Sequence, residues 1–315
     1  MILASFRWLA VALLISGSAA LAGDADSPDP TPPGTLYAVP LPPLADPNDP
    51  SLPARELFGR MTKPFAGPAR AFGGYADGCL QGAVELPITG PAWQVMRLSR
   101  NRNWGHPKLI SFLERFATKA TSVWNGLLVG DMSQPRGGPM LSGHTSHQIG
   151  LDADIWFKPM PDHVLSREER EFDSAINMVA PDRLGVDHAV WTPARTELLH
   201  IAAEDPVVSR IFVNAAIKKQ MCKEAGLSRA WLAKIRPWFG HAEHFHIRIN
   251  CPADSAECKP PPPVEADEGC GHELDYWFSE HVLHHEFPPE EPGKPKPGLT
   301  LAKLPHACRR VVMSP

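Results

Sequence analysis

The chain has 315 residues, 43% hydrophobic and 21% charged, a globular composition long enough to bury its own core. Lys+Arg 31 against Asp+Glu 35 leaves a net charge of −4, so the basic field that nucleic acid needs is missing and a nucleic-acid partner is not expected. Thirty-five prolines, about twice the usual share of roughly 5%, exclude a helical bundle throughout, and 14 histidines and six cysteines ask for a chemical reason.

In chain order, residues 1–22 (MILASFRWLAVALLISGSAALA) read as a signal peptide: Arg7, a short apolar run, then small residues ending Ala20-Leu21-Ala22. The apolar run is too short for a span of ~20 residues, so the mature protein is expected to be exported with no transmembrane segment. Residues 23–56 read as a Pro-rich linker, with ten prolines between 24 and 53. Residues 57–315 form the expected domain, with Pro-rich loops at 259–268 and 287–298. Helices are expected at 107–119 (Pro107 suits a first turn), 164–179, 206–223 and 228–236. In the third, Val208, Ile211, Phe212, Ala215 and Cys222 share one helical stripe. Strands are expected at 123–130, 151–157 and 244–249. Such mixing without βα alternation favours an α+β fold: a small antiparallel sheet flanked by helices, with a disulfide-stapled C-terminal tail.

Export permits disulfides. Cys79, Cys222, Cys251, Cys258, Cys270 and Cys308 contain no C-x-x-C pair, which argues against a redox or zinc-ribbon motif. Three bridges are expected, and spacing alone leaves 15 pairings open.

Five histidines fall in two clusters, Ser142-Gly-His144-Thr-Ser-His147 running on to Asp152 and Asp154, and His241-Ala-Glu-His244-Phe-His246. On a strand, residues two apart share a face, so His244 and His246 project together, as do Asp152 and Asp154. Paired imidazoles on an apolar strand are costly to bury unless something binds them, and neutral imidazole is a good zinc ligand. His147, Asp154 and His246 then make a three-ligand zinc site that leaves a fourth position open. Asp152 is the better candidate for a supporting carboxylate. His144 could be a further ligand, a substrate contact or a supporting group. The sequence holds no H-E-x-x-H, G-x-S-x-G or P-loop motif.

The segments GHTSHQIGLDADIWF (143–157) and RPWFGHAEHFHIRINCPADSAEC (236–258) resemble the penicillin-insensitive murein endopeptidases. RNRNWGHPKLI (100–110), VGDMSQPRGG (129–138) and RIFVNAAIKKQMC (210–222) resemble further signatures of that family, and the resemblance covers about residues 72–312. It extends to a wider group with lysostaphin-type peptidases, D-Ala-D-Ala peptidases and the hedgehog domain. The resemblance implies a small antiparallel sheet, Zn2+ on His147, Asp154 and His246, and His244 as base or transition-state stabiliser. It makes His144 and His241 further active-site histidines, with His144 a metal candidate and His241 a catalytic one. It pairs Cys79–Cys308, Cys222–Cys270 and Cys251–Cys258. It also implies a periplasmic enzyme acting on peptidoglycan stem peptides, notably D-alanyl–meso-diaminopimelyl bonds. Some family members are dimers with an interface metal. A homodimer is therefore admitted, but Asp182 is followed by Gly185 where a histidine would be needed, so that second metal site is not expected.

Glu243 is the rival base, three residues before His246; opposite strand parity favours His244. Arg102 and Arg136 are candidates for substrate carboxylates, and Trp238 for the cleft wall. Two other readings remain open: a carboxypeptidase trimming terminal D-Ala, and a non-catalytic zinc-stabilised wall-binding module.

Overall fold

The computed structural model describes residues 35–283 and 298–314. The expected signal peptide and most of the second late Pro-rich loop lie outside them. Helix α1 (Ala54–Phe58) precedes the hairpin β1 (Arg70–Gly74) and β2 (Asp77–Gln81) and the short strands β3 (Val84–Glu85), β4 (Thr89–Gly90), β5 (Trp93–Val95) and β6 (Trp104–Gly105). Then come α2 (Pro107–Ala120), β7 (Leu127–Val129), β8 (Asp152–Trp156), α3 (Arg167–Phe172), α4 (Pro193–Glu204), β9 (Val208–Val213) and α5 (Ala215–Glu224). β10 (Ile235–Pro237), β11 (His244–Ile249), α6 (His272–Tyr276), α7 (Glu280–Leu283) and α8 (His306–Met313) complete the order. The architecture is α+β. The central sheet runs β10-β9-β11-β8-β7-β5-β4. Its middle is antiparallel, as expected, but β10–β9 and β5–β7 pair in parallel, so the sheet is mixed.

Helix α2 forms where Pro107 fixes the first turn and His106 caps it, its ring accepting from the Lys108 N–H at 3.2 Å. Its buried face, Leu109, Phe112, Leu113 and Phe116, packs with Phe245, Ile247, Ala153 and Ile155 from the sheet's lower face. The opposite face of β8 and β11 is thereby left to carry polar side chains.

Three expected helices are corrected. Residues 206–223 are a strand and a helix: the Val208–Val213 run is β-branched and aromatic and pairs with β11, and Asn214 then caps α5 by accepting from the Ala216 N–H at 3.0 Å. Residues 164–179 hold only α3, opened by a Ser166/Glu169 capping box and ended at Asp173, whose carboxylate pairs with Lys158 Nζ at 2.6 Å. Beyond it Met178 donates its N–H to Ala242 O at 2.8 Å, which draws that backbone to the site loop. Residues 228–236 hold a 3-10 turn, Ala230–Lys234, that runs directly into β10. Helix α4 lies outside the expected helices, although Pro193 marks its first turn.

All three implied disulfides are present. Cys79–Cys308 sits inside a second apolar cluster that joins α1 to α8 and the residues before it: Ala54, Leu57 and Phe58 with Leu304, Val311 and Val312. α1 spans the expected domain boundary at residue 57, and Leu44 and Leu52 of the Pro-rich stretch pack on this cluster. No helix of the described residues is long and apolar enough to cross a membrane.

Candidate metal centre

β8 and β11 supply the site by register. His246 lies opposite Asp154, His244 opposite Trp156 and Arg248 opposite Asp152. Directly opposed residues stand with their Cβ atoms about 5 Å apart, so two alternating strands bring two carboxylates, two imidazoles and a guanidinium together. The loop before β8 brings the rest. Gly143 and Gly150 both take positive φ (+70° and +68°), and a Cβ on Gly150 would come 2.4 Å from Leu80 Cδ2. Between them His147 holds the left-handed conformation at φ +64°, uncommon for a residue other than glycine, pinned by its N–H on Asp152 Oδ2 at 3.0 Å.

His147 is fully buried, and neither ring nitrogen has a hydrogen-bond partner; Asp154 Oδ1 is equally buried and unpaired. These atoms face one another, with Nε2 3.4 Å from Oδ1. Unpaired buried polar atoms are costly, and a cation between them removes the cost. Donor atoms of His144, His147 and Asp154 lie within 4.8 Å of one another, the spacing of a metal-binding group. The tightest group thus includes His144 in place of the expected His246. His246 stands beside it, its Nδ1 3.4 Å from Asp154 Oδ1 and its Nε2 3.2 Å from Asp152 Oδ1. A His/His/Asp donor set suits a borderline divalent metal.

The electrostatics favour a cation. Burial alone would raise the Asp154 carboxyl, but His147, His244 and His144 outweigh it and hold it well below the usual range. Burial would likewise lower His144, yet Asp154 and Asp131 push it up to about 9. Surroundings that draw a proton this strongly also draw a metal ion.

Asp152 is a supporting group. Its carboxylate accepts from Arg248 Nε at 2.8 Å and Nη2 at 3.0 Å as well as from the His147 N–H. Arg248 is itself stacked over Tyr75, 4.1 Å from the ring centroid. Asp152→Asn should therefore lower metal affinity about 10- to 100-fold with the fold intact. Competition against a chelating dye measures this, and an unchanged affinity would remove Asp152 from the site's architecture.

His241 is buried, with φ +49°, and its Nδ1 donates to Phe239 O at 2.6 Å, which leaves Nε2 as the acceptor. Burial, then His244 and His246, push its pKa down to about 3, so it is neutral. His244 is partly exposed, 3.8 Å from Asp154 Oδ1, with its ring 5.0 Å from that of His241. Glu243 is exposed and precedes β11, although it lines the same cleft. Arg102 reaches the site through Asp131. Arg136 does not: it donates to Lys63 O and Val311 O and clamps the C-terminal tail.

Asp131 joins the site although it is not among the expected site residues. Its Oδ2 accepts from Arg102 Nη1 at 2.8 Å and Arg100 Nη1 at 3.1 Å, and it meets His144 Nε2 at 2.9 Å. Its sequence signals are its place in the segment VGDMSQPRGG (129–138) and a carboxylate two residues after β7.

Two clefts flank the imidazoles. One of about 640 Å³ is lined by Arg97, Arg100, Arg102, Asp131, Asn177 and His244. The other, about 650 Å³, is walled by Tyr75, Phe212, Trp238 and Pro260–Pro262, so Trp238 is a cleft residue. His241 borders both.

The model of the penicillin-insensitive murein endopeptidase family matches residues 71–313. A protein of that name from Yersinia enterocolitica is 44% identical over 257 residues, covering 80% of this chain and 89% of that protein. One from Citrobacter koseri is 42% identical over 255 residues with the same coverage. One from Haemophilus influenzae is 43% identical over 258 residues, covering 79% and 84%.

Proposed function

The chain belongs to the penicillin-insensitive murein endopeptidase family, and on that premise we propose that it is a zinc-dependent peptidase of the periplasm. Its substrates are the peptide cross-links of peptidoglycan, notably D-alanyl–meso-diaminopimelyl bonds. The observation that carries the reading is the buried meeting of His147 and Asp154, without hydrogen-bond partners, where Asp154 lines the first cleft. His147, Asp154 and His246 are the proposed ligands, with His144 closing the set on the Asp131 side. A zinc ion held there supplies Lewis acidity to the scissile carbonyl and acidifies water.

The chain's own residues do the rest. Asp131 orients the His144 imidazole through its outer nitrogen, and Asp152 Oδ1 stands 3.2 Å from His246 Nε2. His244, partly exposed at the cleft floor, takes the proton from the attacking water and returns one to the leaving amine. His241, neutral with its acceptor nitrogen fixed by Phe239 O, stands behind His244 and keeps a second fixed positive charge out of its surroundings. No serine takes part, so acylation by β-lactams has no target here.

His244→Ala should lower kcat about 10²- to 10⁴-fold while bound metal stays near wild type. Loss of metal in the same variant would make His244 a ligand and not a proton carrier.

The two clefts favour a cross-link over a free terminus, because a substrate with an arm on each side of the bond fills both. Incubation with purified cross-linked dimer and with monomeric pentapeptide tests this. Dimer consumption with the pentapeptide spared supports the endopeptidase. The reverse makes the protein a carboxypeptidase, and binding without cleavage of either makes it a wall-binding module.

A further inference from the structure

The loop between β10 and β11 presents adjacent rings to the two clefts: Trp238 lines the apolar cleft and Phe239 the polar one. Gly240 and His241 follow, both left-handed at φ +64° and +49°, a conformation uncommon for the histidine. Val213 and Asn214 hold the loop's backbone. The Trp238 N–H donates to Val213 O at 2.8 Å, and Asn214 donates to Gly240 O through Nδ2 at 2.9 Å and to His241 O through its N–H at 3.0 Å. Phe239 O accepts from His241 Nδ1 at 2.6 Å, so the placing of Phe239 sets the His241 ring, which lies 5.0 Å from that of His244.

Trp277 meets both loop rings. Its ring centroid lies 4.9 Å from that of Phe239 at an interplanar angle of 60°, and 6.4 Å from that of Trp238 at 50°, spacings at which aromatic pairs attract. It is half-buried and lines neither cleft. Trp277 belongs to residues 259–283, a strap tied to α5 by Cys222–Cys270. The strap has further anchors of its own. Lys218, wholly buried on α5, donates to Glu268 O, and Arg229 Nε meets the Glu268 carboxylate at 2.7 Å. Lys219 Nζ stands 4.4 Å over the Phe278 ring, and Leu274 is buried. Loss of the Trp277 ring therefore leaves the strap in place and withdraws its support from the loop. The nearer contact is with Phe239, so the larger effect falls on that residue and on the histidine its carbonyl holds.

We propose that Trp277 is a positioning residue of the active site: through Phe239 it fixes the loop that sets His241 behind His244. The inference rests on the endopeptidase reading, in which His244 carries the proton. Small misplacements of a catalytic constellation cost rate even when they arise far from the chemistry. A residue that acts in this way affects turnover more than substrate binding.

The test measures kcat, KM and bound metal on purified cross-linked dimer for the zinc-loaded wild type, Trp277→Ala, Trp277→Phe and Phe278→Ala. Trp277→Ala should lower kcat about 10- to 100-fold, with KM within about 2-fold and bound metal unchanged. Trp277→Phe keeps a ring against Phe239 and should recover most of the loss. Phe278→Ala removes the Lys219 contact from the same strap and should keep the wild-type kcat. If Trp277→Ala does not fold, Trp277→Leu against Trp277→Phe carries the same comparison, with the loss expected in the leucine variant alone. A wild-type kcat without the Trp277 ring, an equal loss in Phe278→Ala, or a rise in KM alone would overturn the inference while leaving the endopeptidase standing. If the wild type cuts no dimer, the endopeptidase reading fails and takes the inference with it.

Discussion

His147→Ala and Asp154→Ala should each lose bound metal and at least about 10³-fold in cross-link hydrolysis, since a catalytic metal supplies several kcal/mol of charge stabilisation. The size follows from burial. His147 is wholly enclosed and its two ring nitrogens have no other partner, while Asp154 Oδ1 faces it at 3.4 Å. Removing the imidazole empties the closed side of the site, and removing the carboxylate takes away the acid that His144, His147, His244 and His246 all face. Elemental analysis of the purified variants, run beside muropeptide chromatography, checks both parts. A variant that keeps metal but loses activity would make these residues catalytic groups and not ligands. Retained activity in either would remove the metal from the mechanism.

The largest effect on stability should come from Cys79–Cys308. The bridge joins residues 229 apart in sequence and sits within the apolar cluster of Phe58, Phe72, Leu304, Val311 and Val312. On the chain-entropy view, closing so long a loop is worth about 5 kcal/mol. Cys79→Ser/Cys308→Ser should therefore lower Tm by on the order of 10 °C. Turnover at low temperature should change little, because the bridge touches neither cleft lining. A Tm within about 2 °C of wild type would show that the α8 cluster and the Arg136 clamp on Val311 O hold the tail unaided.

The facing of the strand-borne histidines and aspartates was legible because strand parity is a strong rule. His244 and His246, like Asp152 and Asp154, are two apart, and the pairing of β8 with β11 sets them opposite one another. Helix α2 was legible from Pro107 and its apolar stripe. The stretch 206–223 was not: Val208, Ile211 and Phe212 continue the helical stripe of α5 in sequence, and only Asn214, a capping residue, marks the change from strand to helix. The choice was made by pairing with β11, a contact between distant segments. The parallel edges of the sheet were hidden for the same reason. Asp131 was hidden because loop carboxylates have no periodicity, and its role exists only once Arg100, Arg102 and His144 converge on it. His144 was left open by the sequence, and its place in the tightest donor group comes from the loop path set by Gly143 and by His147 at positive φ.

Chromatography of muropeptides released from purified sacculi by the intact protein, before chelation, after EDTA, and after zinc is returned, bears most directly on the account. Cross-linked dimers should fall in the first sample, persist in the second and fall again in the third. Undiminished loss of dimers in EDTA, from protein shown by elemental analysis to be metal-free, would contradict a mechanism centred on His147, Asp154 and His246.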